Sequence, residues 1–95
     1  MLASDSMISV VAHGPRDYRL ETLPIPSYGH NEMLVRVLHV GVCASDIKMY
    51  NGADIYWAKG GRAKAGVIPG HEFVCRVVAI GLGAAERYAD ISVRD

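Results

Sequence analysis

Two runs of β-branched and apolar residues, Met33–Val40 and Phe73–Ile80, most constrain the fold. Each is closed by glycine, and each has the length and residue types of a strand rather than of a long helix. Two shorter runs precede them. Met7–Ala12 reads as a strand, Gly14-Pro15-Arg16-Asp17 as a turn, and Tyr18–Thr22, alternating at period two, as the strand that pairs back in a hairpin. Pro24, Pro26, Gly29 and Asn31 then exclude a helix. The period changes after Gly41: Ser45–Tyr50 has short helical character and is ended by Asn51-Gly52. Residues 53–66 predict an irregular surface loop with an aromatic tip at Tyr56-Trp57. Ala84–Ala89 suggests one helical turn, and Ile91–Val93 predicts a further strand. Short strands with glycine-rich corners suggest a mainly β fold, a small β-barrel with short helices that is incomplete at its C-terminus.

Ninety-five residues suffice for one small domain with a thin interior, yet 51% of them are hydrophobic. Part of that apolar surface is therefore expected to lie against another domain or subunit. Ten basic and ten acidic side chains cancel and are interspersed, which argues against nucleic acid or an anionic membrane as partner. The N-terminus lacks a basic n-region, and no run approaches the ~20 apolar residues of a membrane span. A cytoplasmic setting follows, in which Cys43 and Cys75 stay reduced and bind metal or are simply buried.

The chemistry lies in two short segments, Gly41-Val42-Cys43-Ala44-Ser45-Asp46 and Ile68-Pro69-Gly70-His71-Glu72. Together they offer a thiolate, an imidazole and a carboxylate, the donor types that suit zinc. Only two or three ligands are present, which describes an open catalytic site rather than a closed structural one. Cys43 stands where a strand gives way to a helix start, a position that favours the thiolate; the alternative is a buried apolar thiol. His71 is displayed where a strand begins, and a carboxylate such as Glu72 is costly to bury there unless it faces a cation or a donor. Asp46 is placed to receive the free N–H of a metal-bound histidine or, alternatively, to act as a first-turn acid. Ser45 suits a hydrogen bond to a substrate oxygen or a helix cap.

Cys75 lies four residues beyond His71 on a strand. Their Cα atoms are then roughly 13 Å apart, too far for one ion. The same spacing removes His39 from Cys43, while His13 and His30 have no thiol nearby, so all three read as structural or surface histidines. Gly81-Leu82-Gly83-Ala84-Ala85-Glu86 carries a glutamate where a dinucleotide loop needs a third glycine, and it reads as a turn.

These segments, with Phe73 and the valine-rich strand ending at Gly81, resemble the zinc-containing medium-chain dehydrogenases and reductases. The resemblance spans essentially the whole chain. It implies that residues 1–95 form the N-terminal part of a GroES-like catalytic domain, with the Rossmann cofactor domain outside this chain. It further implies that Cys43 and His71 ligate a catalytic Zn2+, with Glu72 as an acidic neighbour of the metal. Ser45 takes the substrate hydroxyl proton and Asp46 holds the His71 imidazole. Lys48 stands where many relatives carry a relay histidine, so proton exit runs through Lys48, water or the cofactor ribose.

Ser45–Ala53 and Tyr56-Trp57 are similar to the polyol branch, of erythritol, threitol and sorbitol type. This implies a small-molecule alcohol or sugar alcohol as substrate, with Tyr50 and Trp57 lining its pocket or simply packing the loop. It also implies NAD or NADP as hydride acceptor and a homodimer or homotetramer as the complete enzyme. The chain on its own is expected to be inactive, because the third zinc ligand and the nicotinamide site lie beyond it. Two alternatives stay open: a non-catalytic GroES-like binding module, and a zinc-independent reductase of the same superfamily.

Overall fold

The computed structural model describes residues 5–95; residues 1–4, where the missing n-region was read, lie outside the described residues. The elements run β1 (Ser6–Gly14), β2 (Asp17–Pro24), β3 (Met33–Gly41), α1 (Ala44–Tyr50), α2 (Asp54–Trp57), β4 (Glu72–Ile80) and α3 (Leu82–Arg87). The chain is mainly β, with its strands in two two-stranded sheets, β1–β2 and β3–β4. It divides into two compact units: residues 5–25 with Gly41–Glu72, and Pro26–Val40 with Phe73–Asp95.

The first unit is built on the hairpin. β1 and β2 pair antiparallel from Ser6↔Pro24 to Gly14↔Asp17, with an irregularity between Ala12 and Gly14. Pro15 and Arg16 make the turn, and Arg16 takes a left-handed φ of 59° that is strained for a residue with a Cβ. Its backbone N–H donates to the Tyr50 carbonyl at 2.8 Å, which ties the turn to the end of α1. At the other end of the following loop, Ala12 N–H donates to Val67 O and Gly66 N–H to Ala12 O, both at 2.8 Å. Val11 and Ala12 are the buried residues among those described in this unit. The loop predicted to be irregular holds one short helix, α2. Four residues, two of them aromatic, carry too little periodicity to announce a single turn. The hydrogen bonds Tyr56 N–H to Ala53 O and Ala58 N–H to Asp54 O close it.

The second unit holds most of β3 and β4. Gly41 lies against Glu72 at one end of this pair, and Gly81 N–H donates to Glu32 O at the other, so the two strands run antiparallel. Val77 of β4 and Ala84 of α3 are buried. Two expectations are corrected in this unit. Helix α3 begins at Leu82, inside the stretch read as a turn, because the Gly83 and Ala84 N–H groups both find the His30 carbonyl, at 2.9 and 3.1 Å. A Cβ on Gly83 would meet the His30 ring, so the glycine here permits close packing. Residues 91–93 are not a strand: the chain enters a turn spanning residues 92–95. Asp95 Oδ2 captures the Ser92 backbone N–H at 2.7 Å and Asp95 N–H donates to Ser92 O at 3.1 Å, while Val77 exchanges backbone bonds with Arg94 and Asp95. Many apolar side chains of both units face outward, among them Ile8, Leu20, Val74 and Leu82 at 61–77% exposure.

Candidate metal centre and substrate cleft

The candidate ligating residues Cys43, Asp46, His71 and Glu72 all lie in the first unit. Cys43 is the N-cap of α1, with extended backbone angles, and Asp46 is the third residue of the helix. The Asp46 Oδ2 accepts the Cys43 backbone N–H at 2.9 Å, which closes the first turn around the thiol. His71 arrives from the other segment. It is positioned by the 66–67 tether to β1 and by Gly70, whose φ of 112° is open to glycine and strained for any other residue.

The two segments converge. The Cys43 Sγ lies 3.2 Å from the His71 Nε2, although 28 residues separate them. The other ring nitrogen, Nδ1, lies 3.2 Å from the Asp46 Oδ1. Asp46 thereby turns Nε2 toward the sulfur and selects the tautomer that leaves Nε2 free as a ligand. Donor atoms of Cys43, Asp46, His71 and Glu72 all lie within 4.8 Å of one another. Bonds of 2.0–2.3 Å to one tetrahedral ion put ligand atoms roughly 3.5 Å apart. The donor set therefore fits zinc both in chemistry and in spacing. Of its two carboxylates, Asp46 is the less suited as a direct ligand, because one oxygen holds the Cys43 N–H and the other faces Nδ1.

The electrostatics agree with a standing negative charge on Asp46. Its carboxyl is held below the usual carboxylate range, first by the Cys43 backbone N–H and, against a partial penalty from burial, by the nearby His71. Ser45 Oγ lies 2.8 Å from Cys43 Sγ, so hydroxyl and thiol share one small volume.

A cleft of about 210 Å³ opens beside this cluster. Ser45, Asp46 and His71 line one part of it, and Met49, Tyr56 and Arg62 another. Tyr50 and Trp57 are not among its lining residues. The Tyr50 ring stands edge-on to Tyr18, with centroids 4.9 Å apart, and the Trp57 indole N–H donates to the Met49 carbonyl at 2.6 Å. Arg62 is not a candidate in the sequence, and Tyr56 reads there as a loop tip rather than as cleft lining. An arginine in a glycine-rich loop reads as solvated, and only the flanking Gly60-Gly61 pair hints that the loop folds back. Among the other histidines, His13 pairs with Glu21 across the hairpin. Cys75 is half-buried within β4 and joins no metal-ligating group among the described residues. No helix among the described residues is long and apolar enough to cross a membrane.

Residues 29–90 match the family described as the alcohol dehydrogenase GroES-like domain. Over 94 residues the chain is 49% identical to the erythritol/L-threitol dehydrogenase of Mycolicibacterium smegmatis, covering 96% of this chain and 26% of that protein. It is 40% identical over 83 residues to the sorbitol dehydrogenase of Pongo abelii, covering 83% of this chain and 21% of that one. Against the sorbitol dehydrogenase of Bacillus subtilis the identity is 34% over 76 residues, covering 80% and 21%. The chain thus spans about a quarter of the length of the curated relatives it matches. No solved structure matches it.

Proposed function

Because the chain belongs to the alcohol dehydrogenase GroES-like domain family, we propose that it is the N-terminal catalytic part of a zinc-dependent, NAD- or NADP-linked dehydrogenase acting on a polyol. The observation that carries this reading is the meeting of the Cys43 thiol with the His71 Nε2 while Asp46 occupies Nδ1. Cys43 and His71 are assigned as metal ligands, with Glu72 as the carboxylate beside them. Bound zinc supplies Lewis acidity, which lowers the pKa of a substrate hydroxyl.

The chain's own residues do the rest. Ser45, within the cleft and beside the sulfur, receives the hydroxyl proton. Asp46 fixes the imidazole orientation and offsets the positive charge gathered there. Lys48 stands in the last turn of α1, and the proton leaves Ser45 through Lys48, water or the cofactor ribose. Trp57 and Tyr50 shape the pocket from behind, Trp57 by holding the carbonyl of Met49, whose residue lines the cleft. A nicotinamide bound by the remainder of the enzyme would supply the hydride acceptor.

The test is metal analysis of the full-length protein together with NAD(P)-coupled oxidation of tetritols and hexitols. One zinc that Cys43→Ser and His71→Ala remove, with turnover lost alongside it, supports the reading. Full turnover in a metal-free protein would favour a zinc-independent reductase.

A further inference from the structure

Arg62 has no part in the chemistry above, yet it lines the same cleft as Ser45 and His71. Its place there is built by the backbone. Arg62 N–H donates to Ile55 O at 2.9 Å and Ala63 N–H to Tyr56 O at 2.8 Å, so the loop is folded back on α2. Arg19, by contrast, is matched to Asp17 in a two-point ion pair. Among the described residues no carboxylate is paired with Arg62. Asp46 is the one acidic residue in the lining, and both of its oxygens are already engaged, by the Cys43 N–H and by His71. A guanidinium carries five N–H donors in a fixed fork and accepts nothing. Its fork spans two neighbouring oxygens of a ligand.

The charge balance narrows the ligand. The lining carries one acid, Asp46, and one fixed cation, Arg62, so a neutral chain enters without upsetting it. We infer that Arg62 is a specificity-determining residue that donates to adjacent hydroxyls of a neutral polyol, distal to the carbon undergoing oxidation. The inference rests on the dehydrogenase reading and adds what that reading lacks, a reason for preferring polyhydroxylated over simple alcohols. The apolar side of the cleft, Met49 and Tyr56, packs the carbon backbone of the same chain.

The test compares full-length wild type, Arg62→Met and Arg62→Lys on erythritol and on 2-butanol, which has a single hydroxyl. Hydrogen bonds from a charged donor are worth about 1.5–3 kcal/mol, so Arg62→Met is expected to raise the KM for erythritol by about 10- to 100-fold. Its kcat/KM for 2-butanol should stay within about twofold of wild type. The erythritol-induced rise in Tm should disappear in Arg62→Met and return in part in Arg62→Lys, with zinc content unchanged throughout. An equal loss on both alcohols, or none on either, overturns the inference and leaves the dehydrogenase reading intact. A wild type that prefers a phosphorylated or carboxylated polyol, with Arg62→Met abolishing that preference, overturns the neutral-chain assignment. A wild type inactive on every alcohol sinks the underlying reading instead.

Discussion

Both cysteines are free and half-buried, but their surroundings differ in kind. Around Cys43 polar side chains gather, the Asp46 carboxylate and Ser45 hydroxyl from its own helix turn and the His71 ring from a segment 28 residues away. Cys75 instead sits within β4, held by its pairing with β3, and joins no group of metal-ligating side chains among the described residues. Burial does not distinguish a ligating thiol from a packing thiol here. What distinguishes them is whether other donors are aimed at the same point.

That contrast can be broken most decisively at the polar cluster. Cys43→Ser or His71→Ala should lower zinc affinity by more than about 100-fold in the full-length protein, read by chelator competition, because each removes a proposed direct ligand. Cys75→Ala should leave zinc affinity unchanged, and a drop there would erase the distinction. Asp46→Asn comes next. It keeps the shape but loses the charge and one of two acceptor roles, and it should weaken zinc binding by about 10- to 100-fold while the fold persists.

The apolar unit should answer in a different currency. Val77→Ala removes two methyl groups from an 8%-exposed site and should cost about 2 kcal/mol of stability by denaturant titration, with zinc affinity unaltered.

The smallest effect is expected at Tyr18, whose buried hydroxyl has no hydrogen-bond partner. Tyr18→Phe should change stability at neutral pH by no more than about 1 kcal/mol, in the stabilising direction. Burial, with the Asp46 charge adding to it, raises the Tyr18 phenol above its ordinary value of 10.0. The folded chain therefore holds that proton longer than the unfolded one. The contribution is complete below pH 10.0 and is lost as the pH climbs toward the folded value, so the advantage of the Phe variant should widen in alkali. A constant difference across that range would show the phenol to be solvated.

Much of this layout is legible in the residues themselves. The hairpin, β3, α1 and β4 follow from β-branched runs closed by glycine, and the pairing of Cys43 with His71-Glu72 from donor chemistry. What was illegible has local physical causes. α2 is one turn long, below the length at which periodicity accumulates. The Ile-Ser-Val of residues 91–93 alternates like a strand, but Asp95 supplies a competing side-chain acceptor that curls it into a turn. Arg62 reads as a solvated charge until the loop bonds to Ile55 and Tyr56 are known. Tyr50 and Trp57 have the right chemistry for a sugar alcohol, yet nothing in their spacing says which way each ring turns.

The hairpin grips the chain on either side of residues 53–65, at Tyr50 through Arg16 and at Gly66-Val67 through Ala12. A stretch clamped at both ends like this can lengthen, shorten or change composition without disturbing the seat of His71. Under the proposed reading, selectivity is then free to drift among descendants of one ancestor while the candidate metal site stays put, and grafts of this loop should change substrate preference before they harm turnover.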